Sequence, residues 1–523
     1  MTEEPTLINQ GSYGCIYYPS LPFKLKKQNH DERENQKRYV SKLQKHNFHS
    51  EFEDYIGKKI QDIPSFDTFF VPVLTTYKID LATIKQSYVR ECDAISKYIK
   101  RNTGDNRPTH ELTSQDYQTL NKKFIMQKMK YVNGTYLHRH LLEVVNKTAE
   151  KQHTDPNPES DSDHDDSDHE SDDDRSHMSK SLRKDEHQIK KYRLEFKHDE
   201  TESSYNLMSI AFDLYERIMD SIQLLIKFKI VHYDLKENNI LIEKIQQLPY
   251  IIDFGLSIDV ERLLQHQWSD KDEEHSKSRS GSGSGSGSKD RSRTRLTIDS
   301  DVLYKSDSSK IFKDNYLWKQ HFYVHAPDYF LWPIEVHLMT YLINEHDTLT
   351  EESLRKICYE YVSNNRAIEY MSREFKKKMF DLSVATFSRF IHQPREKVLN
   401  ELLKYWDKWD MYAINIMFLK IMYELIFHRD VVAEETRPDS QSDSQSDSPS
   451  LNEERQQKLD PHYSSNTKIE FKSKYKIKLK QKYSSYKIMN TIQVMLRNIH
   501  PNPDKRMTPQ ETKTFFVSIF YEC

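Results

Sequence analysis

Long apolar runs are absent from this 523-residue chain. No stretch of 18 apolar residues occurs, so no membrane span is expected. The opening M-T-E-E-P-T is acidic and lacks the apolar core of a signal segment. Cysteine is scarce: Cys15, Cys92, Cys358 and Cys523 lie far apart with no C-x-x-C, a pattern that suggests neither a zinc site nor a disulfide framework and fits a reducing compartment. A cytoplasmic location is expected. An excess of one charge is also missing. The 78 basic and 81 acidic residues leave a net charge of −3, which argues against nucleic acid as an obligatory partner. The apolar fraction, 36%, is low because long polar segments dilute it. By length alone the chain has room for two to four ordinary domains.

What is present centres on Ile230–Gly255. It reads I-V-H-Y-D-L-K-E-N-N-I-L-I, then seven linking residues, then Y-I-I-D-F-G. Asp234, Lys236 and Asn239 have the spacing D-x-K-x-x-N, and Asp253 opens D-F-G. Phosphoryl transfer from ATP calls for such a set: a carboxylate to accept the hydroxyl proton, a cation near the moving phosphate, and an amide and a second carboxylate to hold Mg²⁺. The apolar flanks predict short buried strands that give these polar side chains a rigid floor.

The stretch resembles the catalytic and Mg²⁺-binding loops of eukaryotic-type protein kinases. The resemblance implies an α+β, two-lobed fold: a small antiparallel β-sheet lobe with its hinge over residues 1–132, and a large, mainly helical lobe over 133–523. It implies that Asp234 orients the substrate hydroxyl and takes its proton, that Lys236 neutralises the γ-phosphate, and that Asn239 and Asp253 hold metal. ATP and Mg²⁺ are the implied cofactors. Lysine two places after the aspartate resembles serine/threonine kinases rather than tyrosine kinases, with proteins as substrates. The alternative is a scaffold of the same fold that transfers nothing; the complete set of loop residues argues against it.

Earlier in the chain, Leu7–Pro19 reads L-I-N-Q-G-S-Y-G-C-I-Y-Y-P, two apolar strands around a turn with Gly11 and Gly14. It resembles the kinase glycine-rich loop, so Asn9, Gln10, Gly11, Ser12, Tyr13, Gly14, Cys15 and Ile16 are nucleotide-binding candidates. Asn9 stands at the first glycine position, which it tolerates if its backbone is left-handed. Ile16 would cover adenine. The wording G-S-Y-G-C-I-Y-Y-P is also similar to kinases of large nucleocytoplasmic DNA viruses, a setting that would mean host cytoplasm or virion. The lysine that grips the α- and β-phosphates is Lys42 in R-Y-V-S-K-L, with Lys24 as rival. Its ion-pair partner is Glu53, with Glu51 as alternative, on a helix predicted from H-S-E-F-E-D-Y-I-G-K-K-I. Phe69–Thr76 reads as one strand. Phe124–Met129 reads as the strand entering the hinge, with Met129 as gatekeeper and the backbone of Lys130 and Val132 meeting adenine.

Three polar insertions are expected to be disordered. The one at 150–200 contains a run, 153–174, with eleven acidic residues and no Lys or Arg; it is a spacer or a tail for basic partners. The one at 265–300 contains Gly/Ser repeats with six basic residues against one acidic over 276–295. The third spans 436–457. Ser204–Phe228 carries apolar residues at helical spacing. Trp332-Pro333-Ile334-Glu335 resembles the A-P-E motif, with Ala326-Pro327-Asp328 as rival, and Arg506 matches the arginine that pairs with its glutamate. Asp410 would tie to the catalytic-loop backbone, with Tyr412 and Asn415 following at the helix start. The 74 residues between Glu335 and Asp410 suggest added helices. Tyr233, just before Asp234, carries no charge for a phosphate, so activity is expected not to need phosphate in the activation segment.

Overall fold

The computed structural model describes residues 4–11, 14–21, 36–79, 81, 84, 88, 91–103, 114–144, 205–269, 315–426 and 485–521. The expected insertions at 150–200 and 436–457, residues 270–300 of the other, and the candidates Ser12, Tyr13 and Lys24 lie outside the described residues. The described part is a mixed α+β structure with an antiparallel sheet and many helices.

Alternation builds the first sheet. Strands β1 (Thr6–Gln10) and β2 (Gly14–Tyr18) form a hairpin, and β3 (Tyr39–Lys45) follows. Helix α1 (Phe48–Gln61) comes next; Asn47 caps it, accepting from the Ser50 N–H while Ser50 reaches back to the Asn47 N–H. Its apolar face, Phe48, Phe52, Ile56 and Ile60, recurs every four residues and is buried. The expected strand 69–76 is two strands. Pro72 has no N–H to donate and breaks the ladder, so β4 (Phe70–Val71) joins one sheet and β5 (Val73–Lys78) another. Helices α2 (Asp93–Thr103) and α3 (Ser114–Lys123) lead to β6 (Phe124–Lys130). The sheet order is β1-β2-β3-β6-β5.

The two faces of this sheet differ. Cys15, Tyr17 and Leu43 pack with Ile95, Ile99 and Phe124 on one side. Ile16, Val40, Val73 and Met129 pack on the other, against Tyr250, Leu241 and Ile252. Cys15 and Cys92 form a disulfide across the first of these cores, against the expectation of none. They lie 77 residues apart in sequence and only the fold joins them, so cysteine spacing had nothing to reveal and the compartment drawn from it no longer follows.

A second sheet, ordered β4-β10-β9-β7, adds β7 (Gly134–Tyr136), β9 (Ile240–Glu243) and β10 (Pro249–Ile252). Strands β8 (Ile230–Val231) and β11 (Ile258–Asp259) pair beside it. The apolar spacing of Ser204–Phe228 forms helix α4 (Tyr205–Lys227), which buries Leu214, Ile218, Ile222 and Leu225. Helices α5 (Val260–Gln265) and α6 (Asn315–His321) follow. Helix α7 (Ile334–Asn344) carries Glu335, and between it and Asp410 lie α8 (Glu351–Ser363), α9 (Arg373–Phe387) and α10 (Arg395–Leu403), where helices were expected. Helices α11 (Trp409–Ile426), α12 (Ser485–Asn498) and α13 (Pro509–Tyr521) close the fold. Trp268 is buried against Trp318 and bonded to Asn400, so the insertion expected from residue 265 begins after this packed tryptophan. Among the described residues no helix is long and apolar enough to cross a membrane.

Candidate functional site

The strand register sets out one wall of the site. Ile16 sits opposite Lys42, and Lys42 opposite Gln127, so their side chains leave the sheet on one face. Val40 sits opposite Met129 on the same strands. Gly14 lies against β3 so closely that a Cβ would meet the Leu43 carbonyl oxygen at 2.4 Å. No other residue fits that crossing of backbones.

Lys42 is the centre of a charge cluster. Its Nζ lies 2.8 and 3.1 Å from the two carboxylate oxygens of Glu53, and 3.0 Å from Asp253 Oδ1. Glu53 is 2% exposed on α1, while Asp253 keeps 47% of its side chain open to solvent. Burial works to lower the Lys42 pKa, but Asp253 and Glu53 outweigh it and hold the ammonium above its ordinary range. The Lys42 charge draws the Asp253 carboxyl down. Burial pushes Glu53 up, and Lys42 opposes that in part. Gln44 donates to Glu53 Oε2 at 2.8 Å and fixes the carboxylate from the strand side. Glu51, the alternative partner, points elsewhere and meets His46 at 2.6 Å.

The floor carries the second cluster. Asp234, Lys236 and Asn239 are buried in the loop between β8 and β9. Lys236 Nζ lies 3.0 Å from Asp234 Oδ2. The Asn239 amide donates to the Asp234 carbonyl at 2.8 Å and to its Oδ2 at 3.0 Å. The donating N–H₂ leaves the Asn239 carbonyl oxygen as the atom it can offer a cation. Tyr233 and Asp253 hold left-handed backbones, with φ of 68° and 63°. The strain at Tyr233 is held by Asp410, whose carboxylate accepts the N–H of His232 at 2.6 Å and of Tyr233 at 3.0 Å. Phe254 is buried edge-on to Phe70, and His232 bonds the Ile252 carbonyl at 2.9 Å, so the D-F-G turn is pinned on both sides.

No family model and no curated protein matches the chain. Among solved structures it is similar to the crystal structure of the BubR1 kinase domain, with 13% identity over 79% of this chain and 84% of that one and a TM-score of 0.24. A superposition that loose carries no argument about this chain.

The other residues picked from sequence are placed as follows. Asn9 is ordinary extended strand, not left-handed, and its amide reaches Tyr136 Oη at 2.7 Å. Gln10 accepts from the Asp93 N–H at the start of α2. Cys15 turns its sulfur to the far face of the sheet, into the disulfide, because β2 alternates and Ile16 takes the near face. Gly11 closes the hairpin turn with a 2.9 Å bond to Gly14. Lys130 sends its ammonium to the Asp67 carbonyl at 2.9 Å, and Val132 packs with Ile16, Val40 and Met129. Glu335 and Arg506 form a two-pronged pair at 2.6 and 3.0 Å, with side chains 0% and 1% exposed. Asp328, the rival partner, instead accepts from Asn364.

Sequence reasoning missed Val40, Leu241 and Ile252, which share the apolar slot with Ile16. Leu241 and Ile252 were within reach, two places after Asn239 and one before Asp253. It also missed Glu237, which lies 3.3 Å from Lys420 and 3.1 Å from His138, and Tyr329, whose phenol donates to Asp234 Oδ1.

Proposed function

We propose that the chain is a protein kinase that transfers a phosphoryl group from ATP to serine or threonine hydroxyls, with a two-lobed arrangement of the sheets and the helices. The carrying observation is the Lys42 cluster: one lysine joined to a buried glutamate on α1 and to the D-F-G aspartate 211 residues later. A solvated lysine would have no reason to bridge three elements.

The donor set fits the implied cofactors. Asn239 and Asp253 offer hard oxygen ligands, and Mg²⁺ ordinarily takes its remaining positions from phosphates and water. The slot of Ile16, Val40, Met129, Leu241 and Ile252 has the apolar walls an adenine ring needs. When bound, ATP and Mg²⁺ supply the phosphoryl group and the neutralising charge. Lys42, held by Glu53, would grip the α- and β-phosphates. Asp234 orients the acceptor hydroxyl and takes its proton. Lys236, already at the Asp234 carboxylate, offers its ammonium to the γ-phosphate. The choice of serine or threonine rests on Lys236.

Radiolabelled-ATP assays on a basic protein and a peptide panel test this. Asp234→Asn removes the proton acceptor and Asp253→Asn a metal ligand, and each should lower transfer by orders of magnitude in protein that still unfolds cooperatively. Substantial activity in purified Asp234→Asn protein would sink the mechanism. Nucleotide binding without any transfer by the wild type would make the chain a scaffold.

A further inference from the structure

Asp234 has a neighbour that the transfer mechanism does not use. Its Oδ2 is held by Lys236 and Asn239. Its Oδ1 accepts the phenol of Tyr329, which stands six residues before Glu335. Each carboxylate oxygen has two lone pairs, so Oδ1 retains one for an acceptor hydroxyl while the phenol is in place.

The phenol is itself held. The Tyr329 ring meets Trp332 edge-on, with centroids 4.9 Å apart. Backbone bonds from the Tyr329 N–H to the Ala326 carbonyl (3.1 Å) and from the Trp332 N–H to the Tyr329 carbonyl (3.2 Å) tighten the segment between them. Trp332 in turn stacks on Tyr233 at 4.8 Å, and its indole N–H donates to the Tyr233 carbonyl at 2.9 Å. Tyr233 precedes Asp234 in the chain. The contacts therefore close a ring: Tyr233, Trp332, Tyr329, Asp234. One arm fixes the strained backbone before the aspartate; the other fixes its carboxylate.

We propose that Tyr329 is a positioning residue for Asp234 and that Trp332 sets it, so that an aromatic bracket does the work for which Tyr233 has no charge. The proposal rests on the phosphotransferase reading. An aromatic bracket is always assembled once the segment is folded, and it needs no modification to act. A flexible carboxylate would sample geometries in which its lone pair misses the hydroxyl, and misplacement of a reacting group by about 1 Å costs roughly a hundredfold in rate.

The test uses the full chain with radiolabelled ATP and a serine peptide. Tyr329→Phe keeps the ring and removes the donor. Trp332→Phe keeps an aromatic ring and removes the indole N–H. Each should lower kcat roughly tenfold or more and leave KM for ATP unchanged, a split that general loosening of the fold would not produce. Because Trp332→Phe cuts the backbone arm and Tyr329→Phe the carboxylate arm, the double variant should lose more than either single variant. Hydrogen exchange gives a readout without turnover: residues 230–239 should exchange faster in both variants. Unchanged kcat with unchanged exchange overturns the proposal. So does a rise in kcat or a fall in peptide KM for Tyr329→Phe, which would make the phenol an obstruction. A wild type that transfers nothing overturns the functional reading instead, and the exchange of residues 230–239 then still decides whether Tyr329 holds Asp234.

Discussion

Glu237 shows how one residue serves the site without taking part in chemistry. It follows Lys236 directly and lies partly buried between Lys420 of α11 and His138. Burial opposes its charge, but Lys420 and His138 outweigh that and push its carboxyl down to about 2. In an unfolded chain the group titrates near its ordinary 4.5. The folded-state value is depressed, so the stabilisation is fully present above about pH 4.5 and is lost as pH falls through about 2. A gap of that size is worth up to about 3 kcal/mol. Glu237→Gln should lower stability in urea melts at neutral pH, and the difference from wild type should narrow steadily between pH 5 and pH 2. A difference that stays constant over that range would show that Glu237 is not held ionised by this cluster.

At the scale of the element, α1 matters because it carries Glu53 to Lys42, and its distance from the sheet is set by one glycine. A Cβ on Gly57 would meet the Val73 carbonyl oxygen of β5 at 2.3 Å, a backbone atom that cannot swing aside. Helix propensity alone says that Gly57→Ala stabilises by about 1 kcal/mol. The packing says the reverse: α1 must move off β5, and Glu53 with it. The expected outcome is a lower melting temperature together with weaker nucleotide binding, read by calorimetry with an ATP analogue. A variant more stable than wild type with unchanged binding would show that α1 has room to slide. The disulfide between Cys15 and Cys92 ties the other face of the same sheet, so the hairpin is anchored away from the slot it lines.

For the whole molecule, the long-range pair of Glu335 and Arg506 ties α7 to the segment between α12 and α13. Arg506 also donates to the His500 carbonyl at 2.7 Å and lies over the Tyr412 ring, so its planar fork is fully engaged. Removing either partner strands a buried charge, at a cost of about 3–5 kcal/mol. Glu335→Ala and Arg506→Ala should each lower stability clearly, and the double variant should lose less than the sum. Asp328→Ala should cost much less, since its contact with Asn364 is exposed. Strict additivity of Glu335→Ala and Arg506→Ala in denaturant melts would refute the coupling.

What the residues declared on their own was local. D-x-K-x-x-N and D-F-G lie within 20 residues of each other on short apolar strands, so both the polar groups and their floor were readable from order and alternation. So was α1, whose apolar residues recur every four places behind an Asn cap. The neighbours of Lys42 alternate as a strand does, which marks it over Lys24, and the register of β3 puts it on the face of Ile16. The pair of Glu335 and Arg506 was legible only through resemblance, since nothing local links residues 171 apart. Folding alone decided the rest. Pro72 splits a strand whose halves enter different sheets, and sheet membership depends on partners that no local pattern names. Cys15 meets Cys92 because β2 turns its odd residues to the far face, where an otherwise unremarked segment packs. Tyr329 reaches Asp234 from 95 residues away through a ring of aromatic contacts, and a tyrosine in a loop carries no mark of the carboxylate it will find. Alternation and spacing encode which face a side chain takes; what lies opposite that face is settled by the packing of the whole chain.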